Sequence, residues 1–428
     1  MKVFFAVIGR EQTFRVVNFG LRLANLAGKM LLSLYMARYF GLRDLGVFGL
    51  AFGCVMLAVA ALGIRLDYIV QREISGYDSR SASLIFGDTT KFYIGNFAIS
   101  GIVLCVLMAL GVISISPSLA FVIFLLCIFE SYANLLFNLT ISIGSSTVAS
   151  AFFFVRGGLW TIPVILATWI NPDLRNAMCV LVFWLIGSAV SVVGSLAYLH
   201  TRGIKLNAIH ATDVDWLRAS LRSVFLVWVG SVANSFGGYV DRFVLAHYMS
   251  LEQVGVATFY LSFTGPVMSL IQSSTVAVSF PTLIKLYDDG DSRAYMSEFW
   301  RLARMALVLS TGLSFLVALF VPGFAWLSHR QALLASWPGL ILLLLSMVVR
   351  THAESAYFLL FIERKHTAIW LGNILFLLAS SLLNILLVPI CGIGGIGLAA
   401  LISAALLLGW RSWFSRRPKS RIGDRLMA

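Results

Sequence analysis

Apolar stretches of about 20 residues recur along the chain with short polar gaps between them, and each is long enough to cross a hydrocarbon layer of roughly 30 Å as a helix whose backbone hydrogen bonds are satisfied internally. About twelve such spans are predicted, centred near residues 27, 58, 102, 130, 159, 188, 235, 266, 314, 348, 378 and 402. The connections leave no room for a soluble domain, and the unbroken helical runs are unlike the short alternating strands of a barrel. The predicted class is an all-α polytopic membrane protein.

A second pattern divides the chain. The segment NLAGKMLLSLYMARYFGLRDLGVFG (Asn25 to Gly49) aligns with NSFGGYVDRFVLAHYMSLEQVGVAT (Asn234 to Thr258) at a constant offset of 209 residues, with Asn25/Asn234, Gly28/Gly237, Ala37/Ala246, Tyr39/Tyr248, Leu42/Leu251, Gly46/Gly255 and Val47/Val256 identical. The offset is close to half the chain, so the spans are predicted to form two pseudo-symmetric six-helix lobes, an arrangement found where repeats rock about a central site. The predicted boundaries are 1–205 for the first lobe, 206–221 for an interlobe linker, 222–414 for the second lobe and 415–428 for a basic tail. Two repeats in one chain are enough for a working monomer.

Composition agrees, with 59% hydrophobic and 12% charged residues and a mean hydropathy of +0.90, against roughly 25% charge in soluble domains. The net charge of +13 follows topology and gives no reason to expect a nucleic-acid partner. With a cytoplasmic N-terminus, the inner segments hold most of the cations, from Lys2, Arg10 and Arg15 through Arg72, Arg80 and Lys91 to Arg411, Arg416 and Arg417, while only Arg38, Arg43, Arg175 and Arg330 fall outside. The positive-inside rule then places both termini in the cytoplasm.

Within the longest basic loop, DVDWLRASLR opens on acids suited to a helix N-terminus and reads as a short interfacial helix. The Asp288, Asp289 and Asp291 cluster around Gly290 lacks the ligand spacing of a calcium loop and reads as a turn. Cys54, Cys105, Cys127, Cys179 and Cys391 lie in or beside apolar runs and read as packing residues, so neither metal nor cofactor is expected. Glycines inside the spans allow close helix approach, and Pro163, Pro266 and Pro281 allow kinks.

Charges predicted to lie inside the membrane carry the candidate chemistry. Arg22, Lys29, Arg65, Arg156, Arg242 and Arg350 fall within predicted spans, at a cost of roughly 2.5 to 3.5 kcal/mol each at mid-depth. Arg22, Arg65 and Arg242 are close enough to a span end to snorkel, whereas Lys29, Arg156 and Arg350 are deep and must line a cavity or meet an acid. Lys29 and Arg156 have no acid within a helical turn, while Glu354 stands four residues after Arg350 on the same face. The candidate anion-binding set is Lys29, Arg156 and Arg350, with Arg22 and Arg242. Glu130 and Glu354 lie mid-span and Asp241 nearer an end, which makes them the candidates for coupling a proton or sodium ion to movement, or else fixed counter-ions. GxxxxGK[ST], HExxH and GxSxG motifs are absent, so neither nucleotide hydrolysis nor enzyme activity is expected.

The motifs ARYFGLRDLGVFGLA (Ala37 to Ala51) and ALGIRLDYIVQREI (Ala61 to Ile74), with YVDRFVLAHYMSLEQVGVATFYLSF (Tyr239 to Phe263) and SFPTLIKLY (Ser279 to Tyr287) in the second copy, resemble the polysaccharide repeat-unit flippases of the multidrug/oligosaccharidyl-lipid/polysaccharide exporter superfamily. The resemblance implies a V-shaped pair of lobes in a bacterial inner membrane, alternating between inward-open and outward-open states. It implies movement of a polyprenyl-diphosphate-linked oligosaccharide to the outer leaflet, with polysaccharide polymerase and export machinery as neighbours. A small-molecule or drug cation antiporter of the same superfamily is the alternative, and a membrane enzyme of polysaccharide assembly a third. The chain lacks the Arg-Asp pair early in the first span that marks the related peptidoglycan-precursor flippases, which argues against that cargo.

Overall fold

The computed structural model describes residues 2–74, 79–206, 212–271 and 277–416. The tail from residue 417 and residues 207–211 of the interlobe segment lie outside the described residues, as do the side chains of Lys2, Arg10 and Arg15. The described regular elements are helical. In chain order they are α1 (Lys2–Tyr39), α2 (Leu42–Leu62), α3 (Leu66–Ile74), α4 (Ser79–Ala109), α5 (Pro117–Ser142), α6 (Ser146–Phe154), α7 (Thr161–Ile170), α8 (Ala177–Thr201), α9 (Val214–Tyr248), α10 (Leu251–Ile271), α11 (Ala277–Asp288), α12 (Ser292–Leu327), α13 (Gln331–Ala335), α14 (Trp337–Ile362), α15 (His366–Cys391) and α16 (Ile393–Ser415). A π-helical turn, Val155–Leu159, joins α6 to α7 into one segment, Ser146–Ile170.

Ten segments among the described residues combine the length and hydropathy to cross a membrane. The helices α1 and α10 are also long enough, at 38 and 21 residues. The chain is an all-α polytopic membrane protein, as the apolar pattern predicts.

Local chemistry sets several helix ends. Ser116 caps α5 ahead of Pro117 in the first turn, Asn176 Oδ1 accepts the N–H of Cys179 at the start of α8 (2.9 Å), and Asp291 Oδ1 accepts the N–H of Ala294 at the start of α12 (2.9 Å). Asp291 is thus a helix cap beside Gly290, whose φ of +75° makes the turn. The expected short interfacial helix after Asp213 is instead the first part of α9, which runs on unbroken to Tyr248. Asp213 Oδ1 accepts the N–H of Trp216 (2.9 Å), and the Trp216 indole N–H donates to Glu73 Oε2 (2.8 Å).

The chain divides into two compact units, Met1–Leu32 with Ala51–Trp228 and Ser33–Leu50 with Val229–Ala428, so that α1, α2 and α9 each contribute to both. In the first unit an apolar core joins Leu66 and Val70 of α3, Phe86 and Tyr93 of α4, Leu135 and Leu139 of α5 and Leu199 of α8. In the second, α14 and α15 both pack on α16. Close approach there depends on Gly397, where a Cβ would meet the Leu342 side chain at 2.5 Å and the Gly339 carbonyl oxygen at 3.0 Å.

Candidate functional site

Each unit buries an ionic cluster built around a glutamate. In the first unit Glu130 is carried by the middle of α5, with the carboxylate 6% exposed as a residue. Ser188 Oγ (2.6 Å) and the Trp184 indole N–H (2.9 Å), both from α8, donate to its Oε1. The Arg156 guanidinium reaches Oε2 from the other side at 3.4 Å and also donates to the Glu130 backbone carbonyl (3.1 Å). Burying a carboxylate among apolar helices requires such partners, and here three side chains supply them.

Arg156 reaches that position from the π-helical turn, which widens the helix around Gly157 and Gly158. The two glycines admit α1: a Cβ on Gly157 would strike the Asn25 amide, and one on Gly158 would come 2.7 Å from the Asn25 Cα. Asn25 is 3% exposed and its Oδ1 has no hydrogen-bond partner among the described residues. One turn along α1, the Lys29 ammonium lies 5.4 Å from the centre of the Phe52 ring, a cation–π contact, within the electrostatic reach of Glu130 and Arg156. Phe52 in turn stacks on Trp184 (5.7 Å), and Trp184 on Trp160 (6.1 Å).

In the second unit Glu354 of α14 meets two guanidiniums. Arg350 Nε lies 3.2 Å from Glu354 Oε1, and Arg411 Nη1 of α16 lies 3.1 Å from the same oxygen. Arg350 also donates to Asn234 Oδ1 (2.6 Å) and lies over the Phe376 ring at 4.0 Å. Arg411, 1% exposed, donates to the Ala353 carbonyl (2.9 Å) and to Asn373 Oδ1 (3.1 Å). Asn234 is the repeat counterpart of Asn25. Asn234 thus accepts from the arginine of its cluster, whereas Asn25 packs on Gly157 and Gly158, the two residues that follow Arg156.

The structure therefore brings Arg156 to Glu130 across 26 residues of sequence and Arg350 to Glu354 along one helix, the pair that the four-residue spacing predicts. Lys29 shares a unit with the Glu130 cluster without an ion pair among the described residues. Arg22 is exposed on α1, apart from the cluster contacts. Arg242 is buried over Tyr239 (4.9 Å), with no hydrogen-bond partner for Nε and Nη1 among the described residues, and its backbone N–H is accepted by Asp241 Oδ1 (2.8 Å). Two placements differ from the sequence reading. Arg65 lies in the break between α2 and α3, with φ +56°, and not inside a helix. Arg411, grouped by sequence with the inner cations, is a buried member of the second cluster. The apolar run that continues through Trp413 and Phe414 was the signal that α16 extends past it.

No protein-family model matches the chain, and no curated protein matches it in sequence. Solved structures do match in fold. An inward-facing multidrug resistance MATE family transporter of the MOP superfamily superposes with a TM-score of 0.72 at 13% identity, covering 94% of this chain and 98% of that one. The lipid II flippase MurJ, in an inward closed conformation, gives a TM-score of 0.72 at 14% identity, covering 97% and 89%. A Vibrio cholerae MATE transporter gives 0.57 at 13%, covering 94% and 96%. The chain is thus a multi-pass membrane protein with the fold that MATE transporters share with MurJ.

Proposed function

We propose that this protein moves a polyprenyl-diphosphate-linked oligosaccharide from the cytoplasmic to the outer leaflet of a bacterial inner membrane by alternating access, as a member of the MOP superfamily. One observation carries the reading: each unit sets a single glutamate against two cations, Lys29 and Arg156 around Glu130 and Arg350 and Arg411 around Glu354, which leaves each cluster positive. Positive charge held in an apolar surround attracts an anionic cargo, and a diphosphate with acidic sugars is such a cargo. Among the described residues Lys29 is the cluster cation with a ring face and no carboxylate as its contact, so it is the first choice for touching the head group, with Arg156 and Arg350 behind it.

Transport in this reading involves no covalent step. A proton or sodium gradient supplies the energy, the termini are cytoplasmic, the monomer is the working unit, and polysaccharide polymerase and export proteins are its neighbours. Asp241, which accepts a backbone N–H and has no ion pair among the described residues, is the better coupling candidate in the second unit than the doubly paired Glu354.

The equal likeness to a MATE transporter favours a second reading, antiport of a small molecule or drug cation. A cationic cargo would need an available carboxylate; Glu130 is engaged by three side chains and Glu354 by two guanidiniums, which leaves Asp241 as the acid such a cargo would use. The discriminating experiment is the lipid-linked glycan profile of cells lacking the protein, with the leaflet assigned by an impermeant reagent. Completed units trapped on the cytoplasmic face are expected. Truncated units would point to an assembly enzyme, and an unchanged profile to the antiporter.

A further inference from the structure

The buried carboxylates of the first unit differ in what holds them. Glu130 has its three donors, and Asp88 meets Lys91 Nζ at 3.5 Å and the N–H of Asp213 at 3.2 Å. Asp67, in the first turn of α3 and only 5% exposed, has much weaker neutralisation. Asn138 Nδ2 of α5 donates to its Oδ2 at 2.8 Å. The Arg65 guanidinium comes no closer than 4.0 Å and keeps a third of its side chain in the open, 35% exposed. Around them lies the apolar core of Leu66, Val70, Leu135 and Leu139.

The backbone here is also unusual. Ile64 and Arg65, with φ of +43° and +56°, are consecutive non-glycine residues in the left-handed region, one of them β-branched, and they form the break between α2 and α3. Beside the break the Tyr93 hydroxyl of α4 occupies the place where a Cβ on Gly63 would sit, 2.5 Å away. The groups facing Asp67 are then Arg65 from its own segment, Tyr93 from α4 and Asn138 from α5, with Tyr132 of α5 behind Tyr93 (6.2 Å) and its hydroxyl held by Thr90 at 3.0 Å. Glu73, later on α3, is occupied by Trp216.

We propose that Asp67 is a proton-binding site of the first unit, alternating between a carboxylate that draws on Arg65 and a neutral acid that releases it. The proton comes from water on the Arg65 side and adds to one carboxylate oxygen; the Asn138 amide remains a donor to the other. Burial pushes the Asp67 carboxyl above the usual carboxylate range, while the Arg65 guanidinium and the Asn138 amide pull it back. Strained backbone joins the site to α2 and α3, so the charge change acts on the one helix break that lies beside it. The purpose of the site rests on the gradient-coupled transport proposed above; its proton chemistry does not.

The test is infrared difference spectroscopy on the full chain in lipid nanodiscs, titrated with protons alone. A protonated-carboxyl band is expected to grow as pH falls, with a midpoint above the ordinary aspartate value of about 3.9. It should vanish in Asp67→Asn and persist in Glu130→Gln and Glu354→Gln. Asn138→Leu, which removes a donor to the charged form, should move the midpoint upward by about one pH unit. A band that survives in Asp67→Asn, or no band above that value, overturns the site. If Asp67→Asn does not fold, an unmoved midpoint in Asn138→Leu overturns it instead. Because the band is read without cargo, its absence leaves the transport reading standing, and a failed export assay leaves the proton site standing.

Discussion

Gly46 and Gly255, equivalent positions of the internal repeat, are locked together reciprocally: a Cβ on Gly46 would run into the Leu251 carbonyl oxygen, and a Cβ on Gly255 into that of Leu42. Leu42 and Leu251 are themselves a repeat pair. The start of α2 and the start of α10 therefore meet through matching backbone surfaces inside one unit. Only residues without a side chain fit, because the obstacle is main chain that cannot rotate away.

Gly46→Ala and Gly255→Ala should each lower stability by about 1 to 3 kcal/mol, the usual cost of overpacking. The double variant should lose less than the sum, since either methyl alone separates the two helices. Thermal unfolding of the purified protein in detergent reads both effects, and strict additivity would contradict the reciprocal contact.

Gly157→Ala should be damaging for a different reason, since its methyl would meet the Asn25 side chain rather than backbone. Truncating the obstacle is then a remedy. Asn25→Ala combined with Gly157→Ala should recover a large part of the membrane abundance that Gly157→Ala loses; no recovery would mean that the π turn itself rejects the methyl.

In the second cluster the order of severity follows from counting partners. Glu354→Ala strands two guanidiniums, whereas Arg350→Ala leaves Glu354 with Arg411. Removing the shared acid should cost about 3 to 5 kcal/mol, as for other broken buried pairs, and Arg350→Ala distinctly less. Melting temperatures of the two variants at neutral pH give the comparison.

The titration of Asp67 also has a stability signature. Its carboxyl is raised in the folded protein by burial, so the unfolded chain ionises first as pH rises. Stability contributed by the neutral acid is complete below the ordinary carboxylate value and is lost as pH rises toward the folded one. Wild type should therefore melt progressively lower than Asp67→Asn across that window, with a constant difference above it. A difference independent of pH would show an ordinary structural carboxylate.

Export should depend most on Lys29. Lys29→Ala is expected to cut polymer export by at least tenfold with normal protein abundance, and Lys29→Arg to restore most of it, as measured by surface glycan in a deletion strain. Equal export by Lys29→Ala would remove this residue from the head-group site.

Much of this was legible in the residues alone. The apolar runs specify the helices, since a backbone in lipid must satisfy its own hydrogen bonds and unbroken runs of about 20 residues do so as helices, and the four-residue spacing of Arg350 and Glu354 specifies their pairing. The partner of Arg156 was not legible, because Glu130 sits on another helix and hydropathy carries no information about which faces meet. Arg411 was hidden by its neighbourhood: a basic tail follows it closely, and only the depth of α16 separates a buried arginine from an interfacial one. The break at Ile64 and Arg65 gave no signal either, since neither residue type favours left-handed backbone.

The π turn at Arg156 also fixes the phase of everything that follows it. Each residue of an α-helix advances the face by about 100°, so the extra residue that widens this turn decides which side of α7 is presented. Thr161, Val164 and Thr168 now share the buried side. Shortening the Val155–Leu159 segment by a single residue would turn that stripe away from α8 and swing an exposed one, with Ile162, Leu166 and Trp169, into its place. This stretch is thus intolerant of a one-residue deletion, and its length is a constraint in addition to the side chains of Arg156, Gly157 and Gly158.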